Sequence, residues 1–129
     1  MPFSQTLSKE ERLYGKLVIS SLFDHGHVFY QSPYKVVWTR IPESCTVRVR
    51  FAISVPKRFF KHAVKRNLVK RRTREAFRMN KQILNDVSDG QIHLMVIYTS
   101  VKILSFTELE NSMKKILLHI SQQVHAESY

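Results

Sequence analysis

Cysteine occurs once in the 129 residues, at Cys45, which excludes an internal disulfide and any metal site built from several thiolates. Glycine (three) and proline (four) are scarce while 43% of the residues are apolar, a balance that argues for a folded domain and against a disordered basic tail. No apolar run approaches the roughly 18 residues a membrane-spanning helix needs. The opening MPFSQTLSKEERLYGKL has no uninterrupted apolar segment, so no secretory signal is expected. A glycine-rich phosphate loop is also missing. Cys45 stands in a polar stretch without a nearby histidine and does not read as a nucleophile. Six histidines, at 25, 27, 62, 93, 119 and 125, are scattered. His25 and His27 form an i, i+2 pair, but no carboxylate or thiol motif joins them, so neither a catalytic nor a metal site is expected. The expectation is one soluble, cytoplasmic domain over residues 1–129.

Acidic residues are the other shortage. Ten Asp and Glu face 21 Lys and Arg, giving a net charge of +11 and a pI near 10.1. The excess sits in one place: KRFFKHAVKRNLVKRRTREAFRMNK, Lys57 to Lys81, holds eleven of the bases and one acid, Glu75. The remaining 104 residues are close to neutral. A charge run is ordinarily a solvated face, but such faces mix Glu with Lys. A run this pure suits a phosphate polymer, whose condensed counterions each contact releases. On a helical wheel with Arg66 at zero, Lys70, Arg74, Asn67, Arg78 and Arg71 fall between about 40° and 140°. Leu68, Met79, Ile83, Ala76 and Val69 fall between about 200° and 300°, the expected apolar face, with Arg72 out of place among them. Phe77, on the cationic side, is open to stacking on a base or flanking the core.

Along the chain, Ser8 and Glu11 have capping-box spacing and open an expected helix over Lys9 to His25, weakened by Gly15 and stopped by a left-handed Gly26. Leu13, Leu17, Val18, Ile19 and Leu22 form its apolar side, which is expected to pack on a sheet. Strands are expected at Val28 to Arg40, interrupted at Ser32-Pro33, and at Val47 to Ser54 after a hairpin loop at Ile41 to Thr46. Arg48 and Arg50 lie on the second face of that strand, either as a nucleic-acid contact or simply to keep it soluble. The basic helix runs from Ala63 to Leu84, Ile92 to Thr99 reads as a central strand, and Ser105 with Glu108 caps a final amphipathic helix ending in a frayed Gln122 to Tyr129. The order α-β-β-(β)-α-β-α describes an α+β, two-layer sandwich of one sheet against helices.

Within the basic helix, Ala63-Val64-Lys65-Arg66-Asn67-Leu68-Val69-Lys70-Arg71-Arg72-Thr73-Arg74-Glu75 resembles the RNR motif of the bacterial ribonuclease P protein family, A-V-x-R-N-R-x-K-R-x-x-R-E, with Leu68 at the third-residue arginine. Phe51 to Arg58 is similar to the family's G-x-S-V-S-K-K segment, with Pro56 and Arg58 as departures, and Arg12-Leu13 and Phe23-Asp24-His25-Gly26 match its first helix. The resemblance implies a ribosomal-protein-like fold whose crossover, carrying the basic helix, is left-handed against the usual rule. It implies a subunit that binds a catalytic RNA and precursor tRNA, the RNA holding the active site and Mg²⁺ while 5′ leaders are removed. Carried over by position, Arg66, Asn67, Lys70, Arg71 and Arg74 would contact the catalytic RNA, with Lys65, Arg72 and Arg78 beside them. The leader would lie between the first helix and the sheet's open face, against Ile19, Phe23, Trp38 and Ser54. Trp38 also fits a plain core position. A structural RNA-binding protein of the ribosomal type is the alternative. No membrane partner is expected, and no DNA partner, because no dimerisation element accompanies the helix.

Overall fold

The structure, a computed structural model, describes residues 11–41, 48–86 and 90–127. The elements run α1 (Lys16–His25), β1 (His27–Gln31), β2 (Tyr34–Ile41), β3 (Val49–Ser54), α2 (Ala63–Asn80), a 3-10 segment (Lys81–Asp86), β4 (Gln91–Tyr98) and α3 (Phe106–Glu127). They form an α+β fold with one four-stranded sheet in the order β1-β2-β4-β3. β1–β2 and β2–β4 are antiparallel, while β3 and β4 are parallel and joined through α2. The expected hairpin between the second and third strands does not exist. β4 lies between them, and the linking residues 42–47 fall outside the described ones. As a near-continuous apolar strand, β4 belongs at the centre, where both edges are paired and one face is fully covered.

Alternation sorts the sheet. Tyr34, Val36 and Trp38 of β2, Val49 and Phe51 of β3, and Ile92, Leu94, Val96 and Tyr98 of β4 face α2 and α3 in the main core. Val37, Ala52 and Met95 face the other way, beneath Leu13, Ile19 and Leu22, so α1 covers part of the second face. Trp38 is therefore corrected: it is 1% exposed on the α2–α3 side and cannot line a cleft against α1. Sharing the parity of Tyr34 and Val36 is the reason, since one residue of register moves a side chain to the opposite face.

α1 starts at Lys16, seven residues later than expected. Gly15 adopts φ 105° as its N-cap, so this glycine starts the helix instead of weakening its middle. Ahead of it, Arg12 bridges to Phe51 beside β3 and the Leu13 amide donates to the Phe51 carbonyl at 2.9 Å. Ser8 of the expected capping box lies outside the described residues, and Glu11 pairs with Lys81. Leu17, 86% exposed, is not on the packing side. Gly26 is extended (φ −78°), not left-handed. Its need for glycine comes from close approach, because a Cβ would strike the Leu22 carbonyl and press on the Leu22 and Val37 side chains.

α2 ends at Asn80, and its buried stripe is Val69, Thr73, Ala76, Phe77 and Asn80. On the same wheel these fall between about 280° and 20°, so the helix is turned from the expected face and leaves Met79 48% exposed and Leu68 half-buried. Phe77 is core: its ring stacks on Phe51 at 4.3 Å and 6°. Two polar residues hid this stripe from a hydropathy reading. The Thr73 and Tyr34 hydroxyls share a 2.8 Å hydrogen bond, and Asn80 donates to the Ala76 carbonyl at 2.8 Å and to Glu110 at 3.1 Å. Burial pushes the Tyr34 phenol well above its usual range.

The second capping box forms as read. The Ser105 amide donates to the Glu108 carboxylate at 2.9 Å, and the Glu108 amide donates to the Ser105 hydroxyl at 3.2 Å. α3 continues to Glu127 with Val124 buried, so Gln122 to Glu127 is helical, not frayed, and the last two residues of that expected segment lie outside the described ones. Tyr34→Phe leaves the buried Thr73 hydroxyl unpartnered, and urea denaturation is expected to show a loss of about 1–3 kcal/mol. Adding Thr73→Val should recover part of it.

Candidate nucleic-acid interface

The rotation of α2 sorts its cations. Arg66, on the edge of the buried stripe, donates through one guanidinium nitrogen to the carbonyls of Phe60 and Lys61, both at 2.8 Å. It ties down the loop before its own helix. Arg72, on the opposite flank, donates to the Leu104 carbonyl at 2.8 Å and so holds the connection into α3. That contact explains why an arginine stands on a flank that reads as apolar. Arg78 pairs with Glu75 across one turn at 2.6 and 3.1 Å. The pairing raises the Arg78 pKa and lowers that of Glu75.

The rest are unengaged. Among the described residues, the side chains of Lys65, Asn67, Lys70, Arg71 and Arg74 have no protein partner; Lys70 is half-buried and the others exposed. Asn67, Lys70, Arg71 and Arg74 share one side, whereas Lys65 points to the flank that carries Arg72. Partial desolvation, followed by repulsion from Arg12, lowers the Arg74 pKa. Arg12 thus joins this positive surface from outside the helix. It lies far from α2 in sequence, and only the bridge beside β3 brings it there. A surface of like charges with no acid among them favours an extended polyanion.

The second surface is the sheet face that α1 covers in part. Three rows cross it. Val28, Val37, Met95 and Ala52 form the row associated with the α1 contact. Thr39, His93 and Arg50 form the row on one side, where burial and the Arg50 charge lower the His93 pKa. Tyr30, Lys35, Ile97 and Ser54 form the row on the other side, one residue from each strand. Tyr30, 69% exposed, presents an aromatic side chain in a row that also holds an amine and a hydroxyl. Of the expected cleft residues, Ser54 stands in this row, Ile19 packs on the covered row, and Phe23 is 44% exposed on α1. Tyr30 was missed because β1 reads as part of one long strand, and its position opposite Lys35 emerges only from the pairing register.

The Ribonuclease P family model matches residues 7–121. The ribonuclease P protein component of Porphyromonas gingivalis is 38% identical over 126 residues, covering 95% of this chain and 92% of that protein. That of Chlorobium phaeobacteroides is 35% identical over 108 residues, covering 77% and 70%. The fold is similar to the RNase P protein of Thermotoga maritima, with a TM-score of 0.69 at 23% identity over 84% of this chain and 96% of that one. The Staphylococcus aureus RNase P protein gives 0.67 at 23% identity over 87% and 95%. Since Arg66 holds backbone carbonyls, Arg66→Ala is expected to cost about 1–2 kcal/mol of unfolding free energy. Arg71→Ala, at an exposed position, should leave thermal unfolding unchanged.

Proposed function

Because the chain belongs to the ribonuclease P protein family, we propose that it binds a catalytic RNA through α2 and holds the 5′ leader of precursor tRNA on its sheet. The observation that carries this reading is the unengaged row Asn67, Lys70, Arg71 and Arg74, pointing away from a core that ties up Arg66 and Arg72. In this reading the reaction is endonucleolytic removal of the leader, and its reactive groups belong to the RNA. The outward side of α2 offers cations and an amide, a donor set that does not fit Mg²⁺, so the ions belong on RNA phosphates. Among the described residues, no helix is long and apolar enough to cross a membrane. A cytoplasmic location follows from the proposed substrate.

The chain's own work is binding and positioning. Arg71 and Arg74 neutralise phosphates, and the Tyr30–Lys35–Ile97–Ser54 row takes single-stranded leader by stacking and by charge. Stacking tolerates sequence variation at about 1–3 kcal/mol per base, as suits a subunit that meets many leaders. A structural RNA-binding protein of the ribosomal type would use α2 in the same way but would have no need of the open row.

Mixed with its catalytic RNA at low Mg²⁺, the purified chain is expected to restore cleavage of precursor tRNA, and persistent inactivity would sink this reading. Arg74→Ala should weaken affinity for that RNA and reduce the slope of log K against log salt by about 0.7–0.9. Tyr30→Ala should weaken binding of leader-bearing precursor by about 1–2 kcal/mol and leave mature tRNA unaffected. Equal losses for both ligands would count against the leader row.

A further inference from the structure

Where α2 begins, its first turn and two loops enclose a cleft of about 520 Å³, within the range of about 300–1,000 Å³ common for small-ligand sites. Lys61 comes from the loop before α2, Lys65 from the helix and Lys102 from the loop between β4 and α3. No carboxylate lines the cleft, and among the described residues these three ammonium groups have no protein partner. Gathering like charges from three segments around a concavity is unfavourable unless an anion enters it.

Both loops are held in place. Arg66 grips the carbonyls of Phe60 and Lys61 at 2.8 Å. Across the cleft, the buried Tyr98 hydroxyl donates to the Lys102 carbonyl at 2.7 Å and accepts from the Leu104 amide at 3.3 Å, while Arg72 donates to the Leu104 carbonyl at 2.8 Å. Arg66 and Arg72 therefore serve as positioning residues for a preformed site, which lowers the ordering cost of binding. The cleft also has apolar walls: Phe59, whose ring centroid lies 4.9 Å from the Arg58 guanidinium carbon, and Val101, 68% exposed. A site for a bare anion has no use for these walls.

We propose that this cleft holds one unstacked nucleotide of the RNA bound by α2, its phosphate on Lys61, Lys65 and Lys102 and its base against Phe59 and Val101. The inference rests on the RNA-binding reading and adds a site that the outward row of α2 does not contain. Lys65 links the two, since it lies on the exposed side of the helix and in the cleft wall.

NMR titration of the full isotope-labelled chain tests it, with uridine 5′-monophosphate, inorganic phosphate and uridine as separate probes. The nucleotide is expected to shift the amides of 59–65 and 101–103 and to bind at least about fivefold more tightly than either phosphate or uridine alone. Lys102→Glu, at an exposed loop position, should weaken the nucleotide and the RNA each by about tenfold, whereas Lys114→Glu on exposed α3 should change neither. Equal binding of phosphate and nucleotide would make this an anion site only and overturn the proposal, as would unaltered RNA affinity in Lys102→Glu. If Arg71→Ala and Arg74→Ala lose RNA while Lys102→Glu keeps it, the cleft proposal fails and the RNA-binding reading stands. If all three keep RNA, both fail.

Discussion

The stack of Phe77 on Phe51 sets the rotation of α2 about its own axis, and the role of each cation follows from that rotation. With Val69, Thr73, Ala76 and Asn80 also turned inward, the helix cannot roll without exposing a buried aromatic pair and separating the Thr73 and Tyr34 hydroxyls. Aromatic pairs contribute about 0.5–1.5 kcal/mol beyond the area they bury, and an orphaned buried hydroxyl costs about 1–3 kcal/mol. Either alone would resist a roll of the helix.

Rotation divides one basic run into two populations. Arg66 and Arg72 flank the buried stripe and meet carbonyls of the loops on either side, where their guanidinium groups satisfy backbone acceptors. Asn67, Lys70, Arg71 and Arg74 have no protein partner among the described residues, with Arg12 adding charge from the segment before α1. Like charges at helical spacing destabilise an isolated helix by a few tenths of a kcal/mol per pair, so α2 depends on its packing against β2, β3 and α3. The same packing keeps the charges from spreading apart, so the protein carries a standing electrostatic cost that a polyanion relieves.

Much of the fold was legible. The alternation of β3, the apolar run of β4, the Ser105–Glu108 box and the amphipathic stripe of α3 are local signals, and each formed near its expected bounds. The failures were non-local. A loop between two strands reads as a hairpin because sequential strands are usually neighbours, and nothing near residues 42–47 announces that β4 will come between them. Gly15 reads as a weak point in a helix until its φ of 105° shows it to be the start. Thr73 and Asn80 read as surface because hydropathy does not see that each has a partner waiting in the core.

The candidate site divides along the same line. From the sequence alone come the helix, its excess of positive charge, the scarcity of acids to neutralise it and the thirteen-residue motif that points to the family, because composition and spacing are properties of the chain itself. Tertiary structure decided which cations are free and which are tethers, that Trp38 belongs to the core, and that Tyr30, Lys35, Ile97 and Ser54 stand in one row. It also brought Lys102 to the beginning of α2. These are facts of rotation, parity and register. They depend on partners distant along the chain, so no window of sequence contains them.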